Sequence, residues 1–267
     1  MKLHYERFES TPHTHANPGS KPVLIILHGL FGSGENWKSV ARRLSAHYTC
    51  YCLDMRNHGQ SPHDNDIGHN AMAGDVLEFI DAHKLHRPVL LGHSMGGKVA
   101  MTIAFSRPEI IGALIIVDIA PRKYYLNFTG ILRAMKTLDV STLHTYAQAD
   151  EALTAGIPDN LLRYFIMKNL TKTKEGGFKW KVNVCALADN IVVLGNEPEP
   201  DNTVYQGKTL FIYGAKSGFV KDTDFDLLKN RFSEIRFSCI ADAGHWVHAD
   251  NTDSFVKAVA EFAESVS

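Results

Sequence analysis

Two hydrophobic patterns alternate along the chain. Short, mostly apolar runs occur at Pro22 to Leu27, Tyr48 to Leu53, Val89 to Leu91, Ala113 to Val117 and Lys208 to Tyr213, and Arg236 to Ile240 is the last predicted strand. Such runs predict strands of a largely parallel sheet buried on both faces. Between them, apolar residues recur at helical spacing. Trp37, Val40, Ala41 and Leu44 mark a helix within Glu35 to Ala46, and Met72, Val76, Phe79 and Ile80 mark a second. Lys98 to Phe105 predicts a third, and Phe255, Val259, Phe262 and Val266 outline a closing one. Lys2 to Phe8 alternates as an edge strand does, and Ser10 to Lys21 predicts a loop. Repeated strand–helix units predict an α/β fold with a mostly parallel central sheet flanked by helices. From Arg122 to about Tyr205 the rhythm lapses into helical, aromatic stretches such as Phe128 to Leu138 and Leu161 to Leu170, followed by Gly176-Gly177-Phe178-Lys179-Trp180. This predicts a helical cap over 122–205, inserted into a core of 1–121 and 206–267. Ordinary peripheral helices are the alternative.

The chemistry-bearing residues fall where strands end. Gly92-His93-Ser94-Met95-Gly96 is a G-x-S-x-G pentapeptide with a strand before it and a helix after it. That context favours Ser94 as a nucleophile on a sharp turn over a mere glycine-rich turn. The helix that follows points free N–H groups at the same spot. This motif takes one oxyanion donor from the residue after the nucleophile and a second from a loop early in the sheet. Met95 is the first of these, and Leu30 in His28-Gly29-Leu30-Phe31-Gly32 is the second. His28 precedes the nucleophile and is expected to brace its loop rather than act as a base. In the polar turn Asp54 to Pro62, Arg56, Asn57 and His58 are expected as structural support, with Asp54 and Arg56 paired and His58 at the pocket edge.

Asp118 stands directly after a buried strand, where open parallel sheets collect their functional groups. Asp222 is the rival acid, but Asp222-Thr223 has the pattern of a helix N-cap. Ser217, in the turn after Tyr213, is expected as an auxiliary hydrogen-bond partner. Of the two late histidines, His245 follows a glycine in a loop after the last strand, whereas His248 is expected near the start of the closing helix. His245 is therefore the candidate base, an imidazole being suited to proton transfer near neutrality. His93, Phe31, Phe128, Trp180 and Trp246 are candidate substrate contacts, with plain core packing the alternative for each aromatic. His13-Thr14-His15 has no Cys, Asp or Glu cluster beside it, so no metal site is expected.

Composition narrows the classes. With 267 residues, 45% of them hydrophobic, the chain can bury a large core. A net charge of −1 offers nothing to nucleic acid or to an anionic membrane surface. No apolar run approaches the roughly 20 residues of a membrane span, and Met1 to Ser10 is too polar for a signal peptide. Cys50, Cys52, Cys185 and Cys239 lack zinc-site or disulfide spacing and are expected to be reduced, buried thiols.

The order Ser94, Asp118, His245 is the Ser…Asp…His order of α/β-hydrolases. Nearly the whole chain resembles that superfamily. His-Gly-Leu-Phe-Gly, Asp-Met-Arg-Asn-His-Gly, Gly-His-Ser-Met-Gly-Gly-Lys, Asp-Ile-Ala-Pro and Gly-His-Trp-Val-His resemble the YbfF-type small esterases in particular. The resemblance is weakest over 122–205, apart from Phe178-Lys179-Trp180. It implies an α/β-hydrolase fold, Asp118 as the acid, a serine matched by Ser217, and a cytoplasmic esterase of short acyl substrates without a cofactor. A monomer or weak homodimer acting on a small-molecule ester is expected. The same residues serve thioesterases, amidases and some lyases, and a non-catalytic ligand sensor would keep the same pocket.

Overall fold

The apolar runs form strands because each is too short for a buried helix and is bounded by turn residues. A computed structural model describes residues 1–10 and 21–266, so His13 and His15 lie outside the described residues. Its strands are β1 (Tyr5–Phe8), β2 (Val23–Leu27), β3 (Thr49–Leu53), β4 (Val89–His93), β5 (Ala113–Val117), β6 (Leu170–Lys172), β7 (Phe178–Trp180), β8 (Tyr205–Gly214) and β9 (Phe232–Ile240). Seven of them make one sheet in the order β1-β3-β2-β4-β5-β8-β9. Only the edge strand β1 is antiparallel to its neighbour. β8 and β9 begin earlier than their predicted runs, because Tyr205 pairs with Phe232 and Lys208 with Glu234.

Helices α1 (Lys38–Leu44), α2 (His69–Ala82) and α3 (Met95–Ser106) connect the first strands, and α10 (Thr252–Val266) closes the chain. The first of these is preceded by a 3-10 turn, Gly34–Trp37. Alternate strand residues feed two cores. Ile25, Leu27, Leu90, Leu114 and Ile116 pack with Val76 of α2 and Val99 of α3 on one face. Leu24, Ile26, Leu91, Ile115 and Val117 pack with Val40 of α1 and Val259 of α10 on the other. The chain moves outward in both directions from β2 and β4, so a crevice opens at their carboxyl ends.

Between β5 and β8 lie α4 (Thr129–Thr137), α5 (Tyr146–Thr154), α6 (Asn160–Met167), the antiparallel β6–β7 pair and α7 (Val184–Leu194). The predicted helix through Leu170 stops at Met167, since Leu170 pairs with Trp180 in this small sheet. After β8 come α8 (Asp224–Arg231) and, after β9, the short α9 (Val247–Asp250). All four cysteines are free thiols, but Cys185 and Cys239 are exposed, contrary to the expectation of burial. Cys185 points out from α7, and Cys239 lies on the last strand of the sheet, which has no further strand to cover it. Among the described residues, no helix is long and apolar enough to cross a membrane.

A close backbone approach lies where the end of β2 meets the start of α3. A Cβ on Gly96 would sit 2.3 Å from the Leu27 carbonyl oxygen, whereas one on Gly74 in α2 would meet nothing within 4 Å. Gly96→Ala is therefore expected to cost roughly 1–3 kcal/mol or more through overpacking. Gly74→Ala should instead be neutral or stabilise by up to about 1 kcal/mol. Urea midpoints of the two variants check this, and equal midpoints would refute the close packing.

Candidate active site

Ser94 occupies the turn between β4 and α3 with φ 52° and ψ −115°, a conformation side-chain-bearing residues rarely adopt. Its N–H donates to the Val117 carbonyl at 3.1 Å, and its own carbonyl accepts from the Lys98 N–H at 3.1 Å, so the strained turn is fixed from both sides. Gly92 is required here because a Cβ would meet the Gly96 carbonyl oxygen at 2.3 Å.

The structure brings Ser94, Asp118 and His245 together. Asp118, wholly buried and at φ 55°, follows β5 directly. Its Oδ1 accepts from the Gly214 N–H at 3.1 Å, and its Oδ2 accepts from the Ser217 hydroxyl and from His245 Nδ1, the latter at 2.7 Å. His245 Nε2 lies 3.0 Å from Ser94 Oγ. Because the carboxylate can only accept, the ring proton sits on Nδ1 and Nε2 is left to accept from the serine hydroxyl. An imidazole held in this way can take the Ser94 proton and be stabilised when charged.

Two supports of His245 were not anticipated. Phe219 stacks on its ring at 3.7 Å and 13°, and His93 Nε2 donates to its backbone carbonyl at 2.9 Å. Phe219 is placed by its own N–H, which donates to Ser217 Oγ at 3.1 Å, so the turn containing Ser217 was a signal for it. His93 thus acts on the His245 loop, although its ring also borders the pocket. His248 is buried in α9, where it stacks on Trp37 at 3.9 Å. The Asp222 carboxylate takes no hydrogen bond among the described residues and caps nothing, contrary to expectation. The acid of that turn is Asp224, which accepts from the Lys221 N–H at 2.9 Å and pairs with Arg122 at 2.6 Å.

Facing Ser94, residues 29–32 form a turn closed by the Gly32 N–H on the Gly29 carbonyl at 3.0 Å. Met95 opens α3, so its N–H is one of the helix's orphan donors. The Leu30 N–H likewise has no hydrogen-bond partner among the described residues. His28 does brace the loop. Its Nε2 accepts from the Met55 N–H at 3.0 Å and its Nδ1 donates to the Gly29 carbonyl at 2.8 Å. His58 lies behind the loop rather than at the pocket edge, accepting from the Phe31 N–H at 3.2 Å. Arg56 forks onto Asp75 at 2.6 and 2.9 Å and not onto Asp54, which accepts from Gly34 and Gln60 N–H groups at 2.7 and 2.8 Å. Asp54 is taken up by these donors and by His4 Nδ1 at 3.0 Å, and α2 supplies Arg56 with its partner.

Above the serine lies a cavity of about 80 Å³, bordered by Phe31, Phe128 and Trp246 as predicted and by Phe165, Leu162 and Leu126, which were not. Trp180 is not among its walls. Pairing with Leu170 holds it on the small sheet, beside a separate polar cavity that includes Gln60 and Lys181. Lys98, also missed, is buried under the site, and its ammonium donates to the carbonyls of Arg122 and Asn196, the latter at 2.6 Å. Burial pushes its pKa down to about 7. Among the described residues, no group of three or more His, Cys, Asp or Glu could hold a metal.

The sequence pattern of the family described as alpha/beta hydrolase fold matches residues 22–166. The chain belongs to the α/β-hydrolase family. It is 32% identical over 251 residues to Esterase YbfF of Escherichia coli K12, covering 93% of this chain and 96% of that protein. It is 36% identical over 252 residues to the sn-1-specific diacylglycerol lipase ABHD11 of Xenopus laevis, covering 91% of this chain and 80% of the relative. A solved structure titled Marine microorganism esterase superposes with a TM-score of 0.90 at 34% identity, covering 98% of this chain and 99% of that one. The resemblance to YbfF-type esterases is thus shown, and relatives named esterase and lipase support hydrolase activity.

Burial disfavours the charged form of several rings around the site. It pushes His58 and His248 down to about 3 and His69 to about 4, and it lowers His28 and His93 as well. Folded-state values below the ordinary one mean that the unfolded chain binds protons which the folded chain refuses. The stability these rings contribute is therefore complete above pH about 6.5 and is lost as pH falls toward about 3–4. Each fully buried ring should cost roughly 2 kcal/mol by pH 5. Urea unfolding at pH 7.5, 6 and 5 should show a falling midpoint that is partly restored in His248→Phe, and a flat profile would refute it.

Proposed function

We propose that this protein is a serine hydrolase of carboxylic esters with short acyl groups, working through an acyl-enzyme. The observation that carries this reading is the Asp118–His245–Ser94 chain, at 2.7 and 3.0 Å, facing the unpartnered N–H groups of Leu30 and Met95. His245 removes the Ser94 proton as Oγ attacks the ester carbonyl carbon. The carbonyl oxygen takes the electron pair and is held by the two N–H groups, each such donor being worth about 10²–10³ in rate. When the tetrahedral intermediate collapses, the alkoxide leaves with the proton from His245 Nε2. Water then repeats the cycle on the acyl-enzyme and releases the acid. Asp118 holds the imidazole in the productive tautomer and stabilises the imidazolium, while Ser217 and the Gly214 N–H hold Asp118. These steps need no cofactor.

The segment 122–205 acts as a cap whose Phe128, Leu162 and Phe165 enclose the acyl group against Phe31 and Trp246. A relative named diacylglycerol lipase raises the alternative of long chains. A cavity of about 80 Å³ favours a short one, since it holds only a handful of water-sized groups. Oxoesters are preferred to thioesters and amides because several relatives that cover nine-tenths or more of the chain carry esterase and lipase names.

Two outcomes are expected. A fluorophosphonate probe should label the wild type and not Ser94→Ala, whose kcat should fall on the order of 10⁶-fold. Asp118→Asn should lose about 10⁴-fold in kcat, and Ser217→Ala far less. Retention of a tenth of wild-type activity in Ser94→Ala would overturn the assignment. On p-nitrophenyl esters, kcat/KM should fall with chain length, and a steady rise from acetate to palmitate would replace short acyl groups with long ones.

A further inference from the structure

Phe31 stands next to the oxyanion donor Leu30 in a backbone conformation that aromatic residues avoid, with φ 60°. It occupies the third position of the Gly29–Gly32 turn, where a left-handed residue calls for glycine. Two hydrogen bonds hold it there. From the sheet side, His58 Nε2 accepts from the Phe31 N–H at 3.2 Å, with His58 Nδ1 donating to the Arg56 carbonyl at 3.0 Å. From the segment between β5 and β8, Asn169 Nδ2 donates to the Phe31 carbonyl at 2.8 Å.

Asn169 is built for this contact. It is buried, and both oxygens near its amide nitrogen, those of Phe31 and Ile166, belong to carbonyls, so the NH₂ face is the one presented. Its backbone is fixed at both ends, the N–H on the Ile166 carbonyl at 3.0 Å and the carbonyl by the Lys181 N–H at 2.7 Å. It follows α6, the helix whose Leu162 and Phe165 border the cavity. No other donor reaches the Phe31 carbonyl among the described residues.

We infer that Asn169 is a positioning residue for the oxyanion hole, through which the segment over the pocket holds the Leu30 N–H in register with Ser94. The inference rests on the esterase reading above. Without the Asn169 amide, the buried Phe31 carbonyl has no donor and the turn loses one of the two bonds opposing its return to negative φ. Rotation at Phe31 turns the Leu30–Phe31 peptide, and Leu30, joined to it, carries its N–H out of place. Misplacement by an ångström is enough to cost about 10²-fold in rate.

Asn169→Leu is the informative variant, because leucine shares asparagine's branched outline of four side-chain heavy atoms and keeps the site filled while removing the donor. Asn169→Ala serves as its partner. With kcat expressed per fluorophosphonate-titrated site, so that only folded protein counts, both should lose roughly 10- to 100-fold. KM should stay within about twofold, since the contact is to backbone and not to substrate. Affinity for a trifluoromethyl ketone, whose adduct with Ser94 places an oxyanion in the hole, should fall by the same factor as kcat/KM, and affinity for the product carboxylate should not change. Wild-type kcat and ketone affinity in Asn169→Leu, or a loss confined to KM, would overturn the inference while leaving the esterase reading intact. A wild type that hydrolyses no ester and takes no probe would overturn both.

Discussion

The site depends on one close approach of backbone to backbone. With no side chain at residue 96, the start of α3 lies against the Leu27 carbonyl, where a Cβ would be only 2.3 Å from the oxygen. Gly92 permits the same crowding from the strand side, against the Gly96 carbonyl. This contact brings the end of β2 and the start of α3 together, so the loop after β2 and the first turn of the helix share one space. Leu30 and Met95 can present their N–H groups to the same point because of it. The Ser94 turn is the remaining degree of freedom, and the bond from its N–H to the Val117 carbonyl fixes it to the neighbouring strand.

Four of the eight non-glycine residues with positive φ among the described residues lie at the carboxyl ends of the central strands. Phe31, Asn57, Ser94 and Asp118 all have positive φ, and each follows the carboxyl end of a different strand, β2, β3, β4 and β5 in turn. Each is expected to cost on the order of 1–3 kcal/mol. Each is also tied by specific bonds, for example Asp118 N–H to the Ile212 carbonyl at 2.8 Å and Asn57 N–H to the Pro62 carbonyl at 3.1 Å. The fully buried strand runs make this strain tolerable, since the two cores on either side of the sheet leave the strand ends no room to relax.

Features carried by contiguous residues were legible in the sequence. The strands are apolar runs, the Ser94 turn is five adjacent residues, and Asp118 follows its strand directly, so the fold class and the places of these two residues needed no knowledge of distant neighbours. What was missed depends on partners remote in the chain. Arg56 was matched to nearby Asp54 because sequence proximity was the only guide, while Asp75, carried to it by α2, was invisible. Trp180 looked like a pocket aromatic until its pairing with Leu170 turned it to another cavity. Phe219 and Asn169 carry no motif of their own, and Lys98 stands only at the end of one. Phe219 gains meaning from the ring of His245, Lys98 from the carbonyls of Arg122 and Asn196, and Asn169 from the carbonyl of Phe31.

The histidines around the serine divide by whether a negative group faces them. His93 and His248 are buried without a carboxylate, and burial lowers the pKa of both, the second to about 3. His93 lies 4.8 Å from His245, ring centre to ring centre. A charge there would oppose the imidazolium that His245 forms in the proposed mechanism, by an amount that grows as water is excluded. Keeping His93 neutral also fixes its use, since its Nε2–H then donates to the His245 carbonyl. Among the described residues, of these three rings only His245 meets a carboxylate, Asp118, whose other contacts are donors that hold it aimed. Apolar burial around His93 and His248 and polar burial around Asp118 therefore work toward one end, which is to confine the site's transferable proton to the ring that reaches Ser94.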